Sequence, residues 1–364
     1  MHGPMQRGRR RCAMVLAFAA LLGACAAPAP EGPAPAPAPR AGTLEREAPQ
    51  PTPSGQGEVL GRSDRLLVYQ PGARDTLRSI AARFLGSEDR DWVIGDFNGI
   101  SRAEPGQPVV VPLKTMNAGG VLTDHYQTVP ILCYHRFGNG NGNGNGGGKM
   151  VVSQASFAAQ LDWLARNDYR VIRLSQLVGY LEGRQPLPRR SVVITIDDGY
   201  ESVHRIALPL LRQYGFPATL FVYTDFIGAG DALGWTQLQE LAASGLVDVQ
   251  AHSKTHRNLI ERTAGQSELQ YRGELESEAR APRELLERRL QSPVRHYAFP
   301  YGDANEAVLD VLARNQYQLA VTVNPGGNPF FAQPLMLRRT MIFGDHDLEA
   351  FRARLQTSRA IAAP

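Results

Sequence analysis

Cysteine is nearly absent from this chain: Cys12, Cys25 and Cys133 are the only three in 364 residues. Two of them fall within the first 25 positions, which leaves Cys133 alone in the rest of the chain, and a single thiol there excludes an internal disulfide framework. Cys133 sits in the apolar run Val129 to Tyr134, the setting of a small buried hydrophobe. Acidic residues are missing from the first 25 positions, where Arg7, Arg9, Arg10 and Arg11 cluster. The formal net charge is +4, so losing those four arginines leaves a mature chain near neutrality. Overall charge then gives no argument for a nucleic-acid partner. The apolar stretch near the N-terminus, Ala13 to Leu22, is also short. A bilayer-crossing helix needs roughly 20 apolar residues.

What is there begins with a leader. A basic n-region, a short apolar h-region and the ending Leu22-Gly23-Ala24-Cys25 resemble the signal and lipobox of bacterial lipoproteins. That resemblance implies cleavage just ahead of Cys25, whose thiol is lipidated and which becomes the new N-terminus. The protein would then be exported and held by lipid at the outer membrane or in the periplasm of a Gram-negative cell. A plain signal peptide is the simpler reading, and the adjacent arginines raise twin-arginine export. Residues 26–62 are rich in Pro, Ala and Gly, a composition that favours an extended tether over a core.

Residues 63–115 have a pattern of their own. Leu66 to Tyr69 reads as a strand, and Leu77, Ile80, Ala81 and Phe84 recur at helical spacing. Trp92, Ile94 and Phe97 predict a second helix, and Val109 to Pro112 a second strand after the Pro105-Gly106-Gln107 turn. With Thr76, Asn98 and Ile100, this βααβ order resembles a LysM module. The resemblance implies affinity for glycans containing N-acetylglucosamine; a structural domain without ligand is the alternative. Residues 116–128 read as a linker.

From Val129 to about residue 355 strands and helices alternate. Predicted strands are Ile131–Tyr134, Val171–Ile172, Val192–Ile196, Thr219–Tyr223, Val247–Ala251, Val294–Phe299 and Leu319–Val323. Predicted helices fall near 157–169, 201–214, 236–243, 267–290 and 304–314. The Gly/Asn run 138–148 reads as a surface loop. This order predicts an α/β fold with parallel strands, closed into a distorted (β/α) barrel. In such barrels chemistry sits at the C-terminal strand ends.

Three motifs fall at those ends. Thr195-Ile196-Asp197-Asp198-Gly199 places two carboxylates together, a costly pairing that a cation would offset. One Asp capping the following helix would explain only half of it. His252-Ser253-Lys254-Thr255-His256 spaces two imidazoles to share one divalent ion. Two nitrogens and one carboxylate oxygen leave positions open for water or substrate. Tyr297-Ala298-Phe299-Pro300-Tyr301-Gly302 follows a third strand, where a plain turn or a groove wall fits equally well.

Taken in order, these motifs resemble the polysaccharide deacetylases, carbohydrate esterase family 4, over about residues 129–345. Phe216 to Phe221 agrees, and Ile131-Leu132-Cys133-Tyr134-His135 resembles the opening strand of the branch that deacetylates biofilm exopolysaccharides. The resemblance implies a divalent metal (zinc, cobalt or nickel) on Asp198, His252 and His256, with Asp197 as general base. It further implies an oxyanion site at the Tyr301 backbone N–H within the Pro300-Tyr301 turn, and Trp235 as an apolar wall near the acetyl group. The substrate would be peptidoglycan or poly-N-acetylglucosamine. An inactive glycan-binding lipoprotein and a xylan O-acetyl esterase are the alternatives. Two features depart from the pattern. Ala298 stands where many members have an Arg that orients the base, and no Leu-x-His supplies the acid; His346 and His135 are the candidates.

Overall fold

The computed structural model describes residues 55–138 and 148–361. The leader, Cys25, most of the tether and the centre of the Gly/Asn run lie outside the described residues. No helix among those described is long and apolar enough to cross a membrane.

The chain opens with an antiparallel sheet of three strands, β1 (Glu58–Arg62), β2 (Leu66–Gln70) and β3 (Val109–Pro112). Helices α1 (Leu77–Leu85) and α2 (Asp91–Asn98) connect β2 to β3. The predicted βααβ order is therefore present, with β1 added in a stretch read from sequence as tether. All five β1 side chains are exposed, so it pairs through backbone alone and leaves no apolar period to read. Thr76 starts α1, its Oγ1 accepting the Ser79 N–H at 3.1 Å. Asn98 ties α2 to β3: its amide donates to Ile94 O and Val110 O, and its Oδ1 accepts from Val110 N at 2.9 Å.

Beyond β4 (His125–Gln127), strands and helices alternate. First come β5 (Val129–Tyr134), β6 (Arg136–Gly138), β7 (Val151–Ser153), α3 (Gln154–Arg166), β8 (Arg170–Val171), α4 (Gln176–Leu181) and β9 (Ser191–Ile196). Then follow α5 (Leu208–Tyr214), β10 (Ala218–Val222), α6 (Trp235–Ala243), β11 (Val247–Ala251), α7 (Glu268–Leu290) and β12 (His296–Ala298). The chain finishes with α8 (Glu306–Arg314), β13 (Leu319–Val321), β14 (Gly327–Asn328), β15 (Thr340–Met341), α9 (Leu348–Arg352) and β16 (Ser358–Ala360), which pairs with β4.

The main sheet runs β13-β12-β11-β10-β9-β5, every neighbour parallel. It curls until its ends approach. The segment 337–341 spans the remaining gap: Leu337 bridges Val321 at the end of β13, and β15 pairs with β5. This is the distorted α/β barrel that the sequence pattern predicts.

Strand residues alternate between two buried faces. Ile131, Val193, Phe221, Ala298, Val321 and Leu337 fill the inside. Leu132, Ile194, Leu220, Val222 and Ala251 pack beneath the helices. Burial on both faces is why β5 and β9 read as unbroken apolar runs. Each fully buried aliphatic side chain contributes about 1.5–3 kcal/mol relative to an exposed one. One predicted helix differs in detail. The stretch 201–214 begins as a wider turn, Val203–Ala207, and becomes α-helical at Leu208, with Pro209 in the first turn, where its missing N–H costs nothing.

Candidate active site

β9 delivers Asp197 and Asp198 to the barrel mouth. Asp197 N still bonds to Tyr134 O at 2.9 Å, continuing the ladder with β5. The chain then breaks sharply, with φ of +74° at Asp198 and +90° at Gly199. A left-handed Asp is strained, while glycine takes that conformation freely. Space makes the same demand, since a Cβ on Gly199 would lie 2.9 Å from Val222 Cγ1. The reversal points the two neighbouring carboxylates at different partners.

Asp197 meets Arg339. The guanidinium grips the carboxylate through two bonds, Nη1–Oδ1 and Nη2–Oδ2, both 2.7 Å. Arg339 is fully buried on the barrel-closing segment and also donates to Thr322 O at 2.8 Å. Burial alone would push the Asp197 pKa up. The Arg339 charge, helped by His252, outweighs it and holds the carboxyl below the usual range. Arg339 therefore stands where sequence reading found an arginine missing at Ala298. Both positions belong to the barrel interior, and the small Ala298 side chain leaves volume there that a large one would take.

Asp198 meets the histidines. His252 follows the end of β11, its N–H still bonding to Val222 O at 2.8 Å. The next loop is strained, with φ of +73° at Ser253 and +63° at His256. Two devices hold it. Ser253 Oγ accepts the His256 N–H at 2.9 Å. Glu278, buried on α7, accepts the N–H groups of Lys254 and Thr255 at 2.9 and 3.0 Å and the Thr255 hydroxyl at 2.7 Å.

His252 Nδ1 donates to Ala298 O at 2.8 Å, so its Nε2 presents a lone pair. That Nε2 lies 3.5 Å from Asp198 Oδ1, and His256 Nε2 lies 3.3 Å from the same oxygen. Asp198 Oδ1 is buried yet has no oriented hydrogen bond. Burial would raise the Asp198 pKa, but both histidines outweigh it and hold the carboxyl far below its ordinary value. Burial also opposes charge on His252, and the negative charges of Asp197 and Asp198 prevail, raising its pKa. One atom each from Asp198, His252 and His256 falls within 4.8 Å of the others. Convergent lone pairs on N and O, with an orphaned buried oxygen among them, suit a divalent cation.

Aromatic rings flank His256. Tyr223 and Tyr301 stand 5.0 and 5.1 Å from its imidazole, centroid to centroid. Tyr301 is 62% exposed and sits at φ +60° in the turn Pro300–Gly302, so the ring that sequence reading placed at a groove wall does face solvent at the mouth. Trp235 opens α6. Its ring lies under the Arg289 guanidinium, 5.1 Å away, between α6 and α7.

The two acid candidates also separate. His135 follows β5 and groups with Cys133 and Asp197 within 4.8 Å, its Nδ1 buried without a partner. Burial pushes its pKa down, against the pull of Asp197 and Asp198. His346 faces other groups: Nδ1 accepts the Phe343 N–H at 3.1 Å, and Nε2 meets Arg354 at 2.9 Å. Cys133 is buried as expected, its Sγ 3.5 Å from Asp197 Oδ2. Arg339 and Glu278 escaped the sequence reading. Nothing local marks either: Arg339 stands between Arg338 and Thr340, and Glu278 is one of several acids on its helix.

Comparison with known proteins agrees with this fold. Residues 184–320 match the polysaccharide deacetylase family. A Bacillus subtilis protein, named only provisionally as a polysaccharide deacetylase, is 28% identical over 206 residues, 57% of this chain and 68% of its own. The poly-β-1,6-N-acetyl-D-glucosamine N-deacetylase of Staphylococcus aureus is 24% identical over 196 residues, 51% of this chain and 67% of its own. The Streptococcus pyogenes deacetylase PplD, solved with acetate, shares the fold: TM-score 0.57 and 22% identity, covering 63% of this chain and 98% of that one. The family match holds both aspartates, both histidines and the Pro300-Tyr301 turn, while His135 precedes it and Arg339 follows it. Residues 184–320 are thus similar to the polysaccharide deacetylases, and with these relatives and this fold the chain is a deacetylase enzyme.

Proposed function

We propose that this protein hydrolyses N-acetyl groups on a cell-envelope polysaccharide containing N-acetylglucosamine, after export behind a lipid anchor at Cys25. The observation that carries the proposal is the pairing of Asp197, held ionised by Arg339, with the convergent donors of Asp198, His252 and His256. A divalent ion on those three residues, zinc, cobalt or nickel, would polarise the acetamide carbonyl and acidify water beside it.

This chain's own groups do the rest. Asp197 takes the proton of the attacking water, and Arg339 fixes the direction of its carboxylate. The Tyr301 N–H bonds to the oxygen that becomes negative as the carbonyl turns tetrahedral. His135, neutral through burial, takes that proton from Asp197 at one ring nitrogen while releasing one from the other to the departing amine. Acetate and a free amine leave. Tyr223 and Tyr301 border the place where the sugar rests.

Between the two substrates, the Staphylococcus aureus relative favours poly-N-acetylglucosamine, and the LysM-like module favours peptidoglycan. The test is acetate release by metal-loaded protein from poly-β-1,6-N-acetylglucosamine, peptidoglycan and acetylated xylan. Asp197→Asn should keep its metal and lose turnover, whereas Asp198→Ala and His252→Ala should lose the metal. Release from xylan alone would make the protein an O-acetyl esterase. No release from any of the three would leave it a glycan-binding protein.

A further inference from the structure

A second cleft opens where the N-terminal module meets the barrel, and encloses about 590 Å³. Its barrel side includes Arg189 and Arg190, just before β9, whereas Asp197 follows the other end of that strand. Six strand residues at about 3.3 Å each separate the two places by roughly 20 Å. The walls are held together. Asp91 on α2 pairs with Arg170 at 2.8 Å, and Asp96 accepts the Arg189 N–H at 3.0 Å.

Charge in the cleft is one-sided. Arg90, Lys114, Arg189 and Arg190 all line it and all are exposed, and among the described residues none joins an ion pair. Arg90 and Arg190 are steadied by carbonyls instead, those of Leu85 at 3.0 Å and Asn167 at 2.7 Å. The carboxylate in the lining is Asp96, already engaged with Arg189. Outside the lining, Asp124 is bonded to His125 at 2.7 Å.

The same cleft holds flat apolar groups. Trp92 and Phe97 come from one helix, and Phe97 is 42% exposed. Aromatic faces with cations beside them suit a ring that is apolar on one face and carries carboxylates at its edge. The concave shape favours a bounded ligand over a membrane, since clefts of about 300–1,000 Å³ are the ordinary size for small-molecule sites.

We infer that this cleft is a second glycan site, built for an acidic saccharide whose rings lie on Trp92 and Phe97 and whose carboxylates pair with Lys114, Arg189 and Arg190. The inference does not depend on the catalytic reading, and it carries a consequence for it. A deacetylated chain is cationic at neutral pH, so these charges would repel product and retain acidic, acetylated stretches.

The test is calorimetric titration of the full chain with four probes. They are a hyaluronan oligosaccharide (N-acetylglucosamine alternating with glucuronate), a neutral chitin oligosaccharide, a glucosamine oligomer and phosphatidylglycerol vesicles. The hyaluronan fragment should bind at least tenfold more tightly than the two uncharged or cationic chains, and more weakly as salt rises. Lys114→Glu and Arg189→Glu, exposed changes that break no side-chain bond, should each weaken it at least tenfold with an unchanged circular dichroism spectrum. Asp197→Asn should bind it as wild type does. Equal binding of the neutral chain, indifference to both charge reversals, binding to vesicles alone, or no binding at all would each overturn the inference.

Discussion

Asp197 carries a charge that burial opposes, and Arg339 makes that charge tenable. Removing one partner of a buried pair strands the other, at a cost of about 3–5 kcal/mol. Arg339→Met should therefore lower the melting temperature. It should also change the pH profile in a definite direction. Burial pushes the Asp197 pKa up and Arg339 pulls it down, with a net lowering in the native protein. Without Arg339 the upward push is opposed only by the nearby histidines, His252 and His135. The carboxylate then protonates at higher pH, and the acid limb of kcat/KM should move upward relative to wild type. For stability the sign is the same. A depressed carboxyl stabilises the fold above its ordinary pKa and loses that contribution as pH falls through the folded value. Wild type should thus resist acid further than Arg339→Met. A pH–rate profile and melting curves at several pH values check both outcomes.

Two elements are shaped to hold strained turns at the mouth. The break after β9 depends on Gly199, because an added Cβ meets Val222 in a left-handed backbone. Gly199→Ala should destabilise by about 1–3 kcal/mol, combining backbone strain with overpacking. Denaturant unfolding gives that number. The histidine loop depends on α7 through Glu278. Glu278→Gln keeps the shape but loses the charge that receives two backbone N–H groups and a hydroxyl. By analogy with outer groups that orient metal ligands, metal affinity should fall about 10–100-fold. The discriminating reading is metal titration: a merely structural role would lower stability and leave affinity as it was.

The whole molecule keeps its core apart from its site. Buried apolar faces hold the barrel together, while the candidate metal donors Asp198, His252 and His256 stand at one mouth of it. Chelation should therefore abolish acetate release while the circular dichroism spectrum stays folded. The melting temperature should drop only by what mass action on a bound ion contributes, about 2.7 kcal/mol at 100 times Kd. Unfolding on chelation would mean that the ion is a structural element.

Much of this was legible in one dimension. Alternating apolar runs and helical periods marked the barrel and the module, because burial on both sheet faces and on one helix stripe imposes those patterns locally. Asp197, Asp198, His252 and His256 were legible because each pair is adjacent or four apart and falls at a strand end. What sequence alone could not determine is what reaches these groups across the fold. Arg339 lies more than 140 positions from Asp197. Glu278 is one acid among many on a charged helix, and His135 and His346 look alike on paper. Contacts between distant residues leave no local period, so only the closing of the barrel decides which arginine faces Asp197, which histidine joins it and which acid pins the loop.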